Sequence, residues 1–247
     1  MANTFAEYTN LSLNILKFID DPRQIIDTKL ALFNEVLNGH ALEYDSVLFI
    51  GFSPWCFSKK FKKIFITCLT DAAAEYLDEN DVEYTRLSYT DIINGEEAFE
   101  CVVALDEFTT FVATEAEQRA LVELISECTD KLLITTLRDY KNADFKQKEF
   151  SSPEPLVCCG EHTAKIITEY HNYNFSPADR YAWKCKVYEL TGDEMIYHGG
   201  FMRRAMFFKQ LANFTSEVGA KHFGVYKTSM YQSLSRRDNE YIIGIEF

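Results

Sequence analysis

The chain has 247 residues, 47% of them hydrophobic and 15% aromatic, with a formal net charge of −13. That is enough apolar material for one large domain with a buried core, and the acidic balance disfavours a general nucleic-acid binder because it repels phosphate backbones. No run of about 18 apolar residues is present to span a bilayer, and MANTFAEYTNLSLNIL lacks the basic and apolar segments of a signal peptide, so a cytoplasmic protein without membrane attachment is expected.

The charge is uneven. The first 150 residues carry 27 acidic and 14 basic side chains, whereas the remainder carries 11 of each. The one local exception is the run Lys59, Lys60, Lys62 and Lys63, which reads as the solvated rim of a short helix or as a gatekeeper beside an apolar strand. The seven cysteines form no CxxC and no Cys/His pair with zinc spacing, so free thiols are expected and no metal site is. The vicinal pair Cys158 and Cys159 is the one unusual arrangement among them.

In chain order, the first segment holds two helix candidates. Asp21 and Pro22 open the second as N-cap and first helical residue, Ile25, Leu30, Leu32, Phe33 and Val36 fall near helical spacing, and Gly39 can end it. From Val47 the pattern alternates between short apolar runs and helices. VLFI (47–50), IFITCL (64–69), VEYTRLS (82–88), FECVVAL (99–105) and KLLITTL (131–137) read as strands. DAAAEYLDEN (71–80) reads as a helix, and Thr114 with Glu117 forms a capping box ahead of a longer one. Alternation of this kind predicts an α/β fold with a doubly wound, mostly parallel sheet.

After Leu137 the rhythm changes. RDYKNADFKQKEFSSPEP is polar, and AKIITEYHNY and YAWKCKVYEL read as long strands, with MIYH as a further candidate. A helix is expected over FMRRAMFFKQLANFTSEV, ended by Gly219. HFGVY and EYIIGIEF close the chain as strands around a short helical piece. The reading is one domain, 1–247, with an antiparallel β unit inserted at 138–200 after the fifth strand.

In a doubly wound sheet ligands bind outside the carboxyl ends of the strands, where strand order reverses. Gly51 follows the first strand directly and permits a sharp turn, with Phe52 and Ser53 next. Asp106 and Glu107 follow the fourth strand; paired carboxylates in a crevice perturb each other and can accept a substrate proton, which makes them the catalytic candidates. Asp91 reads first as an N-cap that starts a helix. His40, His162, His171, His198 and His222 show no ligand spacing, and no phosphate loop, GxSxG or HExxH is present.

On SVLFIGFSP, SYTDI, ALDEFTTFVATEAEQRALVELI and the closing pair HFGVY and EYIIGIEF, the chain resembles the class I S-adenosylmethionine-dependent methyltransferases over about residues 25–137 and 200–247. TTLRDYKN and RRAMFFKQLANF are also similar to methyltransferase-like proteins of tailed phages. The resemblance implies a seven-stranded sheet whose last strand is antiparallel, with S-adenosylmethionine as cofactor. It further implies Gly51, Phe52 and Ser53 at the cofactor turn, Cys68 at the ribose position, Asp91 on the adenine amine, Leu105 beside the cofactor, and Asp106 and Glu107 facing the pocket.

Three features depart from that pattern. Ser53 and Trp55 stand where further glycines are usual. Cys68 stands where an acid clamps the ribose hydroxyls, with Asp71 three residues later. Residues 52–63 leave room for one or two helical turns in the first crossover. No DPPY-like run follows the fourth strand, so the acceptor expected is a small molecule or protein group. The alternative reading is a catalytically inactive methyltransferase-fold protein. It would act as a structural or interaction module through an aromatic-rich insertion (Tyr170, Tyr173, Phe175, Tyr181, Trp183, Tyr188), in an oligomer or a phage virion.

Overall fold

The computed structural model describes residues 33–37, 44–51, 61–94, 98–104, 108–112, 114–138, 149–154, 164–172, 182–191, 194–227 and 240–247. Over 149–201 it is the backbone path that is described. Two sheets organise it. The larger has seven strands in the order β10-β11-β5-β4-β1-β2-β3. These are β1 (Ser46–Ile50), β2 (Lys63–Thr67), β3 (Thr85–Arg86), β4 (Phe99–Ala104), β5 (Thr129–Arg138), β10 (His222–Lys227) and β11 (Glu240–Glu246). All neighbours from β3 to β5 run parallel, and β11 is antiparallel to both β5 and β10. The α/β, mostly parallel seven-stranded sheet expected from the alternating pattern is therefore the observed fold.

Parallel strands covered on both faces need apolar residues at consecutive positions, and β1 supplies them. Val47 and Phe49 enter one buried cluster, with Phe33, Val36, Ile66, Leu77, Cys101, Leu132 and Ile242. Leu48 and Ile50 enter the other, with Val102, Phe108, Leu121, Leu133, Leu211 and Ile245. Residues 33–37 are helical, as the Phe33 and Val36 spacing predicts, and the first helix candidate lies outside the described residues.

Helix α1 (Asp71–Glu79) starts from Thr70, whose hydroxyl accepts the Ala73 N–H at 3.2 Å. Helix α2 spans Tyr89–Asn94. Helix α3 (Glu115–Glu127) opens on the capping box of Thr114 and Glu117, as its sequence predicts. Helix α4 (Phe208–Glu217) ends where Gly219, at φ 101°, lets Ala220 N–H return to the Thr215 carbonyl at 3.0 Å.

Three expected elements are corrected. The third strand is two residues long, not seven: on the sheet edge its partners are Phe65 and Ile66 of β2 alone. The last long helix begins at Phe208, not Phe201, because Met202 to Arg204 are held in a strand by pairing with Ala182 to Lys184. Tertiary pairing there overrides the helix propensity of the MRRAM run.

The third correction adds a strand. The second sheet is four-stranded and antiparallel, in the order β6-β7-β8-β9, formed by Glu149–Glu154, Ala164–Asn172, Ala182–Thr191 and Glu194–Arg204. β6 falls in the polar stretch RDYKNADFKQKEFSSPEP, where no strand is expected. It contains Pro153, which an edge strand tolerates because its N–H side needs no partner. The strands expected from AKIITEYHNY and YAWKCKVYEL are β7 and β8, and MIYH belongs to the longer β9.

Candidate active site

Strand order reverses between β1 and β4. From β1 the sheet continues to β2 and β3, and from β4 to β5, β11 and β10. The carboxyl ends of β1 and β4 therefore flank the crevice where such sheets bind ligands.

At the β1 end, Gly51 takes φ 83° and its N–H donates to the Thr67 carbonyl at 2.9 Å. The positive φ is the reason for glycine here. At the β2 end, Cys68 takes φ 57°. A cysteine in that region is strained, and such strain concentrates at functional positions. Cys68 packs against the cluster that holds Ile50 and Ile92, and burial pushes its thiol pKa up. It thus presents a neutral group where the family resemblance implies an acid.

Asp71, the other candidate acid, points elsewhere. Its carboxylate pairs with Arg86 at 3.1 Å, while Arg86 Nη2 donates to the Leu69 carbonyl at 2.7 Å. Arg86 so joins the exits of β2 and β3.

Asp91 lies in the first turn of α2 after β3. Its Oδ2 accepts the Ser88 N–H at 2.9 Å, and its own N–H donates to Ser88 Oγ at 3.0 Å. Ser88 is the cap and Asp91 its reciprocal partner, a capping-box arrangement. Hydrogen bonding from Ser88 holds the Asp91 carboxyl below its ordinary value. The side chain is exposed, and the neighbouring Ile92 is buried.

Phe52 and Ser53 after Gly51, and Leu105, Asp106 and Glu107 after β4, lie outside the described residues, as do Trp55, Lys59 and Lys60. The framework on either side of 105–107 is well defined. Thr135 Oγ1 donates to the Ala104 carbonyl at 2.8 Å, fixing the last residue of β4. Phe108–Thr110 form a buried 3-10 turn. Gln118, fully buried on α3, donates from Nε2 to the carbonyls of Thr109 and Arg204, each at 3.2 Å.

Arg203 and Arg204, at the end of β9, are both buried against this connection. Arg203 Nε donates to Thr110 Oγ1 at 3.2 Å and its guanidinium lies 4.9 Å from the Phe111 ring centre. Arg204 Nη2 donates to Glu115 Oε2 at 3.2 Å. Sequence reasoning placed both arginines inside a helix and gave them no role. The available signal was two adjacent charges between Met202 and Ala205-Met206, since arginine is seldom buried without a partner.

Cys101 and Cys128 are buried free thiols, and burial raises the pKa of each. Cys158 and Cys159 lie outside the described residues. Among the described residues no group of three metal-ligating side chains exists, and no helix is long and apolar enough to cross a membrane.

No protein-family model matches the sequence, and no curated protein matches it. Solved structures do match. An S-adenosylmethionine-dependent methyltransferase from Clostridium acetobutylicum aligns with a TM-score of 0.68 at 11% identity, over 96% of this chain and 98% of that one. The S-adenosylmethionine-bound amino pentose methyltransferase CalS10 of Micromonospora echinaspora aligns at 0.64 and 12%, over 88% and 90% of the two chains. DesVI of Streptomyces venezuelae aligns at 0.61 and 13%, over 88% and 92%. Identities this low speak to the fold alone, and with the strand order and the antiparallel β11 they agree on one: the chain has the class I S-adenosylmethionine-dependent methyltransferase fold.

Proposed function

We propose that the chain binds S-adenosylmethionine across the carboxyl ends of β1 and β4 and transfers its methyl group to a small-molecule or protein acceptor. The observation that carries this reading is the left-handed Gly51 at the β1 exit, beside the point where strand order reverses. The similar solved structures, one of them S-adenosylmethionine-bound, support it.

The residues present fit the cofactor in part. Gly51 permits close backbone approach. Asp91 retains Oδ1 for an adenine amine while Oδ2 serves Ser88. Cys68 offers no ionic clamp to a ribose. When bound, the cofactor supplies a methyl group already activated on a sulfonium, so the protein's work is alignment and exclusion of water. Asp106 or Glu107 would orient the acceptor nucleophile and take its proton. The inserted unit at 138–200, within a single domain, would cover the acceptor. Calorimetry with S-adenosylmethionine at near-millimolar concentration tests this: saturable heat is expected, and none would overturn it.

A second reading is favoured by Cys68, whose half-buried thiol offers no ionic contact to a ribose. In it the chain keeps the fold as a scaffold and binds a partner through the inserted strands, in an oligomer or a virion. Tyr170, Trp183 and Tyr188 lie on β7 and β8, while Tyr173, Phe175 and Tyr181 fall outside the described residues. A strict monomer by light scattering that binds the cofactor would count against it.

A further inference from the structure

Arg204 is among the largest fully buried side chains, at 2% exposure. A guanidinium carries five N–H donors in a planar fork and is always charged. Among the described residues Arg204 makes one side-chain hydrogen bond, from Nη2 to Glu115. Nε and Nη1, which together carry three of those donors, are buried and have no acceptor among the described residues. Thr109 Oγ1 and Gln118 Oε1 are buried and likewise have no partner among the described residues. Gln118 Nε2 donates to the Thr109 and Arg204 carbonyls, so the backbones of the two residues meet at its amide.

That place is on the carboxyl edge of the sheet. Glu115 is the first residue of α3, the helix that follows β4, and its side chain is 57% exposed. It therefore marks the side on which the guanidinium lies nearest solvent. A structural ion pair that stabilises a buried charge satisfies the remaining donors too. This one pairs a buried cation with a counter-ion whose side chain is more than half exposed.

We propose that Arg204 forms an anion-binding subsite that receives a carboxylate or phosphate group, Glu115 being the resident counter-ion which that group displaces. On the methyltransferase reading, which supplies only the ligand's role, the methyl acceptor is an acidic molecule held by its anionic end. Planar, bidentate recognition of such groups is what arginine does better than lysine.

The experiment follows the Arg204 Nε–H resonance of the full isotope-labelled chain during titration with inorganic phosphate and, separately, with acetate. Arg204→Lys assigns the peak. A saturating shift is expected with at least one probe, and which probe acts tells a phosphate-bearing from a carboxylate-bearing acceptor. Glu115→Gln, at an exposed position, should bind that probe roughly two- to fivefold more tightly, since a competing part-exposed ion pair has gone. A resonance that neither probe moves in either protein, or a Glu115→Gln protein that binds no more tightly, overturns the subsite even if Arg204→Lys fails to fold. Calorimetry with S-adenosylmethionine on the same samples separates the two proposals: anion binding without cofactor binding sinks the methyltransferase reading alone, and the reverse sinks the subsite alone.

Discussion

The Gly51 N–H and the Thr67 carbonyl are hydrogen-bonded at 2.9 Å, so the turn that leaves β1 is tied to the last residue of β2. Gly51 and Cys68, the residues that follow these two strands, both turn through positive φ. The two strand exits are thus one backbone unit. Disturbing either should be felt at the other.

Gly51→Ala tests that coupling. A side chain in the left-handed region costs about 1–2 kcal/mol, which in a domain of this size corresponds to a fall in Tm of roughly 2–8 °C. S-adenosylmethionine affinity should fall as well, because the added methyl blocks close approach. Differential scanning calorimetry and titration calorimetry on one preparation check both.

Cys68→Asp should act in the opposite direction on binding. Aspartate tolerates positive φ better than most residues. A carboxylate at this strand end can accept both ribose hydroxyls, and bonds to a charged group are worth about 1.5–3 kcal/mol, so affinity should rise tenfold or more. Without ligand the variant should be less stable than the parent, since a half-buried acid is then left without a cationic partner. Unchanged affinity would remove position 68 from the cofactor site.

Asp91 allows capping and ligand binding to be separated. Its folded pKa lies below the ordinary value of 3.8, so its stabilising contribution is fully present above 3.8 and is lost as the pH falls through the folded value. Asp91→Asn should flatten that part of the acid limb of the Tm-against-pH curve relative to the parent. If the carboxylate also holds adenine, the same variant will bind S-adenosylmethionine more weakly at neutral pH. A purely capping role leaves that affinity unchanged.

Thr114→Ala removes the hydroxyl that accepts the Glu117 N–H at 3.2 Å. Loss of such an N-cap costs about 1 kcal/mol. Chemical denaturation should show a lower midpoint with an unchanged slope, since one helix start is weakened without altering the surface exposed on unfolding.

Much of this protein is determined by local pattern. Consecutive apolar residues such as Val47 to Ile50, buried on both faces, make a parallel strand legible because nothing else satisfies that pattern so briefly. The Thr114 and Glu117 spacing fixes a helix start, and Gly219 fixes a helix end, because both depend on groups within a few residues of one another. What tertiary structure decided lies where distant segments compete for the same residues. Pairing with β8 draws Met202 to Arg204 out of a helix and into β9. That pairing delivers two arginines to the connection after β4, about 90 residues earlier in the chain. No local periodicity encodes a partner so far away, so the charged face of the candidate site becomes visible only once the chain has folded.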